Sequence, residues 1–98
     1  MTTLDAVTKI ISPVAQDLDL QRVIVFGSYA RGEQTESSDI DIVIDSGGQL
    51  SGFDVLCAVG RILRALPMRA DVFELSEVKN PSQTYTAIQH EGVVIYER

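Results

Sequence analysis

A single cysteine, Cys57, occurs among the 98 residues, so no intrachain disulfide can form. No apolar run approaches the roughly 20 residues needed to cross a bilayer. The opening residues, Met1-Thr2-Thr3-Leu4-Asp5, have neither the basic flank nor the apolar core of a signal peptide. Together these absences predict a cytoplasmic protein with no membrane association. Basic side chains are also scarce: 8 Lys and Arg stand against 14 Asp and Glu, a net charge of -6. Non-specific binding to DNA or RNA needs clustered Lys and Arg, so no direct nucleic-acid contact is expected. A nucleotide carried with its metal is a different matter, because there carboxylates hold the cation and the cation holds the phosphates. The rest is ordinary for one globular domain with one core, at 45% hydrophobic and 22% charged residues.

Leu4, Val7, Ile11, Val14 and Leu18 recur at helical spacing and predict an amphipathic first helix, with a kink or break at Pro13. Arg22 to Phe26 reads as a buried strand. Ser28 to about Gly32 follows as a short helical turn, and Glu33 to Ser38 is polar loop. Ile40 to Ile44 is a second strand. Phe53, Leu56, Cys57, Gly60, Leu63 and Leu66 mark the inner face of a further helix, which Pro67 ends. Ala70 to Leu75 is a third strand. A last helix starts at Ser82, a cap residue, and stops at Gly92; Val93 to Tyr96 is the fourth strand. The order implies a mixed sheet flanked by helices, an α+β or α/β domain without repeats or linkers.

The chemistry concentrates in one stretch. The apolar strand Val23-Ile24-Val25-Phe26 runs into Gly27-Ser28, and after ten intervening residues, Tyr29 to Ser38, the second strand is introduced by Asp39-Ile40-Asp41. Alternation puts Asp39 and Asp41 on one strand face with Cα atoms about 6.6 Å apart, within reach of one magnesium ion or two close together. A glycine lets the backbone approach a ligand, and a helix start beyond it offers N–H groups to an anion, with the Ser28 hydroxyl as a further donor. Carboxylates for a metal beside a turn for phosphates suggest a nucleoside triphosphate with magnesium, and so nucleotidyl transfer. Asp71 is the candidate third acid, because a carboxylate amid Ala70, Val72 and Phe73 is costly unless paired or metal-bound. If its strand lies beside Asp39 and Asp41, three carboxylates converge. Asp71 could then help hold a second metal and act as base for an incoming hydroxyl. Glu74, three residues on, points to the opposite face.

Gly27-Ser28-Tyr29-Ala30-Arg31-Gly32-Glu33, then Ser38-Asp39-Ile40-Asp41, then Asp71 resembles the minimal nucleotidyltransferases, or MNT proteins, of the polymerase-β-like superfamily. The resemblance extends through Glu91-Gly92-Val93-Val94-Ile95-Tyr96-Glu97 and implies a single minimal nucleotidyltransferase domain over residues 1–98. It implies that Gly27 and Ser28 hold the triphosphate, that Asp39 and Asp41 bind magnesium, and that Asp71 is the third acid. Proteins of this kind commonly pair with a HEPN-domain ribonuclease as the antitoxin of a toxin–antitoxin system, transferring AMP from ATP to a tyrosine of the toxin. The resemblance therefore implies ATP as substrate, two magnesium ions and a HEPN partner. Two other readings stay open. One is an antitoxin that neutralises its partner by covering it, with the nucleotide site idle. The other is a small-molecule nucleotidyltransferase, although such enzymes usually carry an additional acceptor domain.

The remaining polar residues are read more plainly. Arg31 is expected in a salt bridge with Glu33 or Glu36, and Tyr29 as an exposed helix residue. Asp45 lies about 13 Å along the strand from Asp41 and is read as a strand end. His90 is a surface residue near a helix C-terminus. Cys57 is expected to be buried as a small apolar residue, and Arg61 and Arg64 to form a solvated helix face.

Overall fold

Ile40, Ile42 and Ile44 alternate along one strand and are all fully buried, which anchors one face of the sheet. The computed structural model describes residues 2–98; Met1, where the leader reading begins, lies outside them. The elements are α1 (Leu4–Asp17), β1 (Arg22–Phe26), the one-turn α2 (Ser28–Arg31), β2 (Ile40–Asp45), α3 (Phe53–Ala65), β3 (Ala70–Glu74), α4 (Gln83–Glu91) and β4 (Val93–Glu97), with a 3-10 turn at Leu75–Glu77. The expected order of helices and strands is the observed one. The four strands lie in the order β3-β2-β1-β4. β1 pairs antiparallel with both β2 and β4, and β2 runs parallel to β3. A parallel pair requires a crossover, which α3 supplies.

Two layers of packing follow from the strand alternation. On one face Val7, Ile11 and Ala15 of α1 and Ala58 and Ile62 of α3 close over Val23, Val25 and the three isoleucines. On the other, Ile88 of α4 packs against Ile24, Phe26 and Val43. Leu75 and Val78, which follow β3, pack against the same cluster, while Phe73 of β3 remains partly exposed beside the Phe26 ring. Ser82 caps α4 by accepting the Tyr85 N–H at 3.0 Å, as its position predicted.

Two readings are corrected. α1 runs unbroken through Pro13. The proline is exposed, so the Lys9 carbonyl it leaves without a helical donor faces water, while Val7, Ile11 and Ala15 hold the other side in the core. The inner face of α3 is Val55, Ala58, Ile62 and Leu66; Phe53, Leu56, Cys57 and Leu63 face solvent. The helix is apolar on two sides, and periodicity alone does not say which side the sheet takes. Gly92 ends α4 as expected, with φ -65. Glycine is needed there for space, since a Cβ would overlap the Ile88 carbonyl oxygen and come within 2.8 Å of Ile24 Cγ2.

Candidate active site

The topology gathers the candidate residues at one end of the sheet. β1 is antiparallel to β2 and β4, and β3 is parallel to β2, so the C-terminal end of β1 lies beside the N-terminal ends of the other three. Gly27 and Ser28 leave β1 there. Asp39 and Asp41 enter β2, Asp71 lies near the start of β3, and Glu91 is the last residue before β4. Asp41 is in register with Phe26 on one side and with Asp71 on the other. Residues paired across a sheet share a face, so both carboxylates stand on the α4 side, on the part that α4 leaves uncovered.

The turn and the acid are fitted to each other. Gly27 has φ +77, a conformation that favours glycine, and a Cβ built there would overlap Asp41 Oδ2. Asp41 is half-buried, Asp39 and Asp71 exposed. Burial first, then the charges of Asp71 and Asp39, push the Asp41 carboxyl above its ordinary range; Arg31 opposes this and Glu91 adds to it. Asp39 is 3.3 Å from the Arg69 guanidinium. Among the described residues no group of three or more His, Cys, Asp and Glu is arranged to hold a metal ion by itself. The carboxylates thus form an open acidic shelf beside a glycine turn. Asp39 and Asp71 also line a groove of about 610 Å³ that passes round the start of β3 to Leu63, Leu66 and Met68.

Arg31 donates to Glu33 at 2.7 Å, the expected pair, and also to both oxygens of Glu91 at 3.0 Å. The hydrogen bonds of Glu33 and then Glu91 push its already high pKa further up. Glu91 Oε1 also accepts the Gly27 N–H at 3.2 Å. Sequence reasoning missed this role of Glu91, and nothing local could have revealed it, because its partners are 60 and 64 residues away. Tyr29 is not an exposed helix residue: it is 4% exposed and belongs to the main core, because the single turn of α2 lies flat on the sheet end and aims this ring inward. Asp45 closes β2 and bonds to Arg22, its partner across the sheet, at 2.8 Å. His90 is on the surface, as expected, and Arg61 bonds Asp17 at 2.6 Å. Glu74 is buried on the face opposite Asp71, accepting from the Ser46 hydroxyl and the Ser76 N–H, each at 3.2 Å.

Comparison with known proteins places this geometry. Residues 8–98 match the family model described as polymerase beta, nucleotidyltransferase. The chain belongs to this nucleotidyltransferase family. A Methanocaldococcus jannaschii protein named as a candidate protein adenylyltransferase is 32% identical over 85 residues, 83% of this chain and 87% of that one. A second protein of that organism, similarly named, is 31% identical over 75 residues, 76% of this chain and 81% of its own length. Among solved structures, a toxin–antitoxin crystallised with AMP-PNP superimposes with a TM-score of 0.76 at 22% identity, covering 93% of this chain and 73% of that one. A complex of a tri-AMPylated Shewanella oneidensis HEPN toxin with its MNT antitoxin gives 0.71 at 19% identity, covering 96% and 72%. At such identities these two speak for the fold.

Proposed function

We propose that this chain is a minimal nucleotidyltransferase domain that moves AMP from ATP to a hydroxyl of a partner protein, the tyrosine of a HEPN-domain ribonuclease toxin, and so acts as its cytoplasmic antitoxin. The observation that carries the reading is the in-register pairing of Asp41 with Asp71 at the sheet end that also holds Asp39 and Gly27-Ser28. The names of the archaeal relatives and of the superimposing complexes support the acceptor class.

The residues fit magnesium. The donors are hard carboxylate oxygens; burial first and then the like charges of Asp71 and Asp39 push Asp41 up, and a cation relieves those charges. Magnesium needs only one or two carboxylates when phosphates supply the rest of its coordination. Asp39, Asp41 and Asp71 would hold magnesium, which when bound neutralises phosphate charge and makes the attacking hydroxyl more acidic.

The chain's own residues divide the remaining work. The Gly27 turn and the Ser28 hydroxyl bind the β- and γ-phosphates. Asp71, exposed on an edge strand, faces the incoming hydroxyl and takes its proton. The hydroxyl oxygen then bonds to the α-phosphorus in line, the bond from that phosphorus to the bridging oxygen breaks, and pyrophosphate leaves with the electron pair. Positioning and charge neutralisation supply most of the acceleration.

Incubation with α-labelled ATP, magnesium and the HEPN-domain protein tests this. Label should pass to the partner, and not when a chelator is present or when Asp39→Ala/Asp41→Ala replaces the native chain. A folded chain that binds its partner and transfers no label would remove the reading.

A further inference from the structure

The sequence gives α3 two apolar sides. Val55, Ala58 and Ile62 enter the core, whereas Phe53, Leu56 and Leu63 remain 76%, 68% and 41% exposed, with Cys57 exposed between them. These positions are three, four or seven residues apart, so they form one stripe along the helix. Single exposed apolar residues are common, but a stripe of large ones marks a surface that something covers. A helix apolar on both sides is ordinarily buried on both.

The surroundings of the stripe indicate what covers it. Arg61 and Arg64 wall a groove of about 400 Å³ floored by Phe53, Leu56, Cys57 and Gly60. They are two of only 8 basic residues in a chain of net charge -6; Arg61 already pairs with Asp17, whereas among the described residues no acid lies within ion-pair distance of Arg64. A second copy of this chain would bring the same basic rim, like charge towards like charge near the two-fold axis. An acidic partner matches it. At its C-terminal end the stripe reaches Leu63, which also lines the groove that holds Asp39 and Asp71. A partner lying along α3 therefore meets, at Leu63, the groove that passes round the start of β3 to Asp39 and Asp71.

We propose that the outer face of α3 is the docking surface of the acceptor protein. It seats an amphipathic helix with apolar residues at every third or fourth position and acidic residues along the flank facing Arg61 and Arg64, and it delivers the acceptor hydroxyl to the Asp71 end. This rests on the reading of the chain as a protein adenylyltransferase.

The test uses the full chain and the HEPN-domain protein, with Leu56→Glu and Arg64→Glu as variants. Both substitutions fall on exposed side chains, and neither residue belongs to the nucleotide site. Leu56→Glu should weaken partner binding roughly tenfold or more. Arg64→Glu should weaken it less and flatten its salt dependence. Magnesium–ATP binding and Tm should stay at native values in both; if Leu56→Glu lowers Tm, Arg64→Glu carries the test. Native partner affinity in both folded variants would overturn the docking surface alone. So would sedimentation showing a native dimer that Leu56→Glu splits, because the stripe would then be a contact between copies. A native chain that neither binds nor modifies the HEPN protein would overturn the functional reading, and this proposal with it.

Discussion

The missing side chain of Gly27 is the space that the Asp41 carboxylate occupies: a methyl group on Gly27 would overlap Asp41 Oδ2. The turn after β1 and the acid of β2 thus specify each other across an in-register strand pair. Gly27→Ala meets both this overlap and the unfavourable φ of +77, and should destabilise the domain by about 1–3 kcal/mol. The same substitution in an Asp41→Ala background should cost less, because only the backbone strain remains. Urea unfolding of the four proteins in this cycle measures the coupling; additive effects would contradict the contact.

Asp41→Asn removes a charge that is unfavourable in the unliganded fold. Its carboxyl is raised on folding, so the folded state binds more protons than the unfolded one between the ordinary carboxylate pKa and the raised value. Through that window Asp41 lowers stability as pH rises, and above it the penalty is complete. The variant should therefore show a Tm at pH 7 equal to or higher than the native one without magnesium, with transfer abolished. Unfolding of Asp41→Asn at pH 7 would mean that the carboxylate has a structural partner instead.

Tyr29 is core. Tyr29→Ala should cost about 3–5 kcal/mol in chemical denaturation, with or without nucleotide. A native denaturation midpoint would show that the ring lies outside the packing.

Glu74 illustrates a buried acid with a structural role. Glu74→Ala strands the Ser46 hydroxyl and the Ser76 N–H, and about 1–3 kcal/mol of stability should be lost. Magnesium–ATP affinity of the folded fraction, measured by calorimetry, should stay native, since this carboxylate lies on the face away from Asp71.

The parts of the fold that were legible in the sequence are those with local causes. Alternating isoleucines fixed β2 and its buried face, Ser82 announced α4, and Asp39 and Asp41 marked their own strand entry. Asp71 could be placed on a strand from its apolar neighbours, but only the parallel pairing of β2 with β3 puts it opposite Asp41. What escaped depends on distant surfaces. Tyr29 and the two sides of α3 each fit a local pattern equally well buried or exposed, and the sheet decides between them. Glu91 reaches Gly27 and Arg31 only because β4 is antiparallel to β1 and delivers the end of α4 to the same end of the sheet.

The most direct measurement is the intact mass of the HEPN-domain partner after co-expression. With the native chain it should carry one or more AMP groups, mapped to tyrosine, and with Asp39→Ala/Asp41→Ala it should carry none while still binding. An unmodified partner that the native chain nevertheless inhibits would contradict nucleotidyl transfer as the mode of action and leave inhibition by covering in its place.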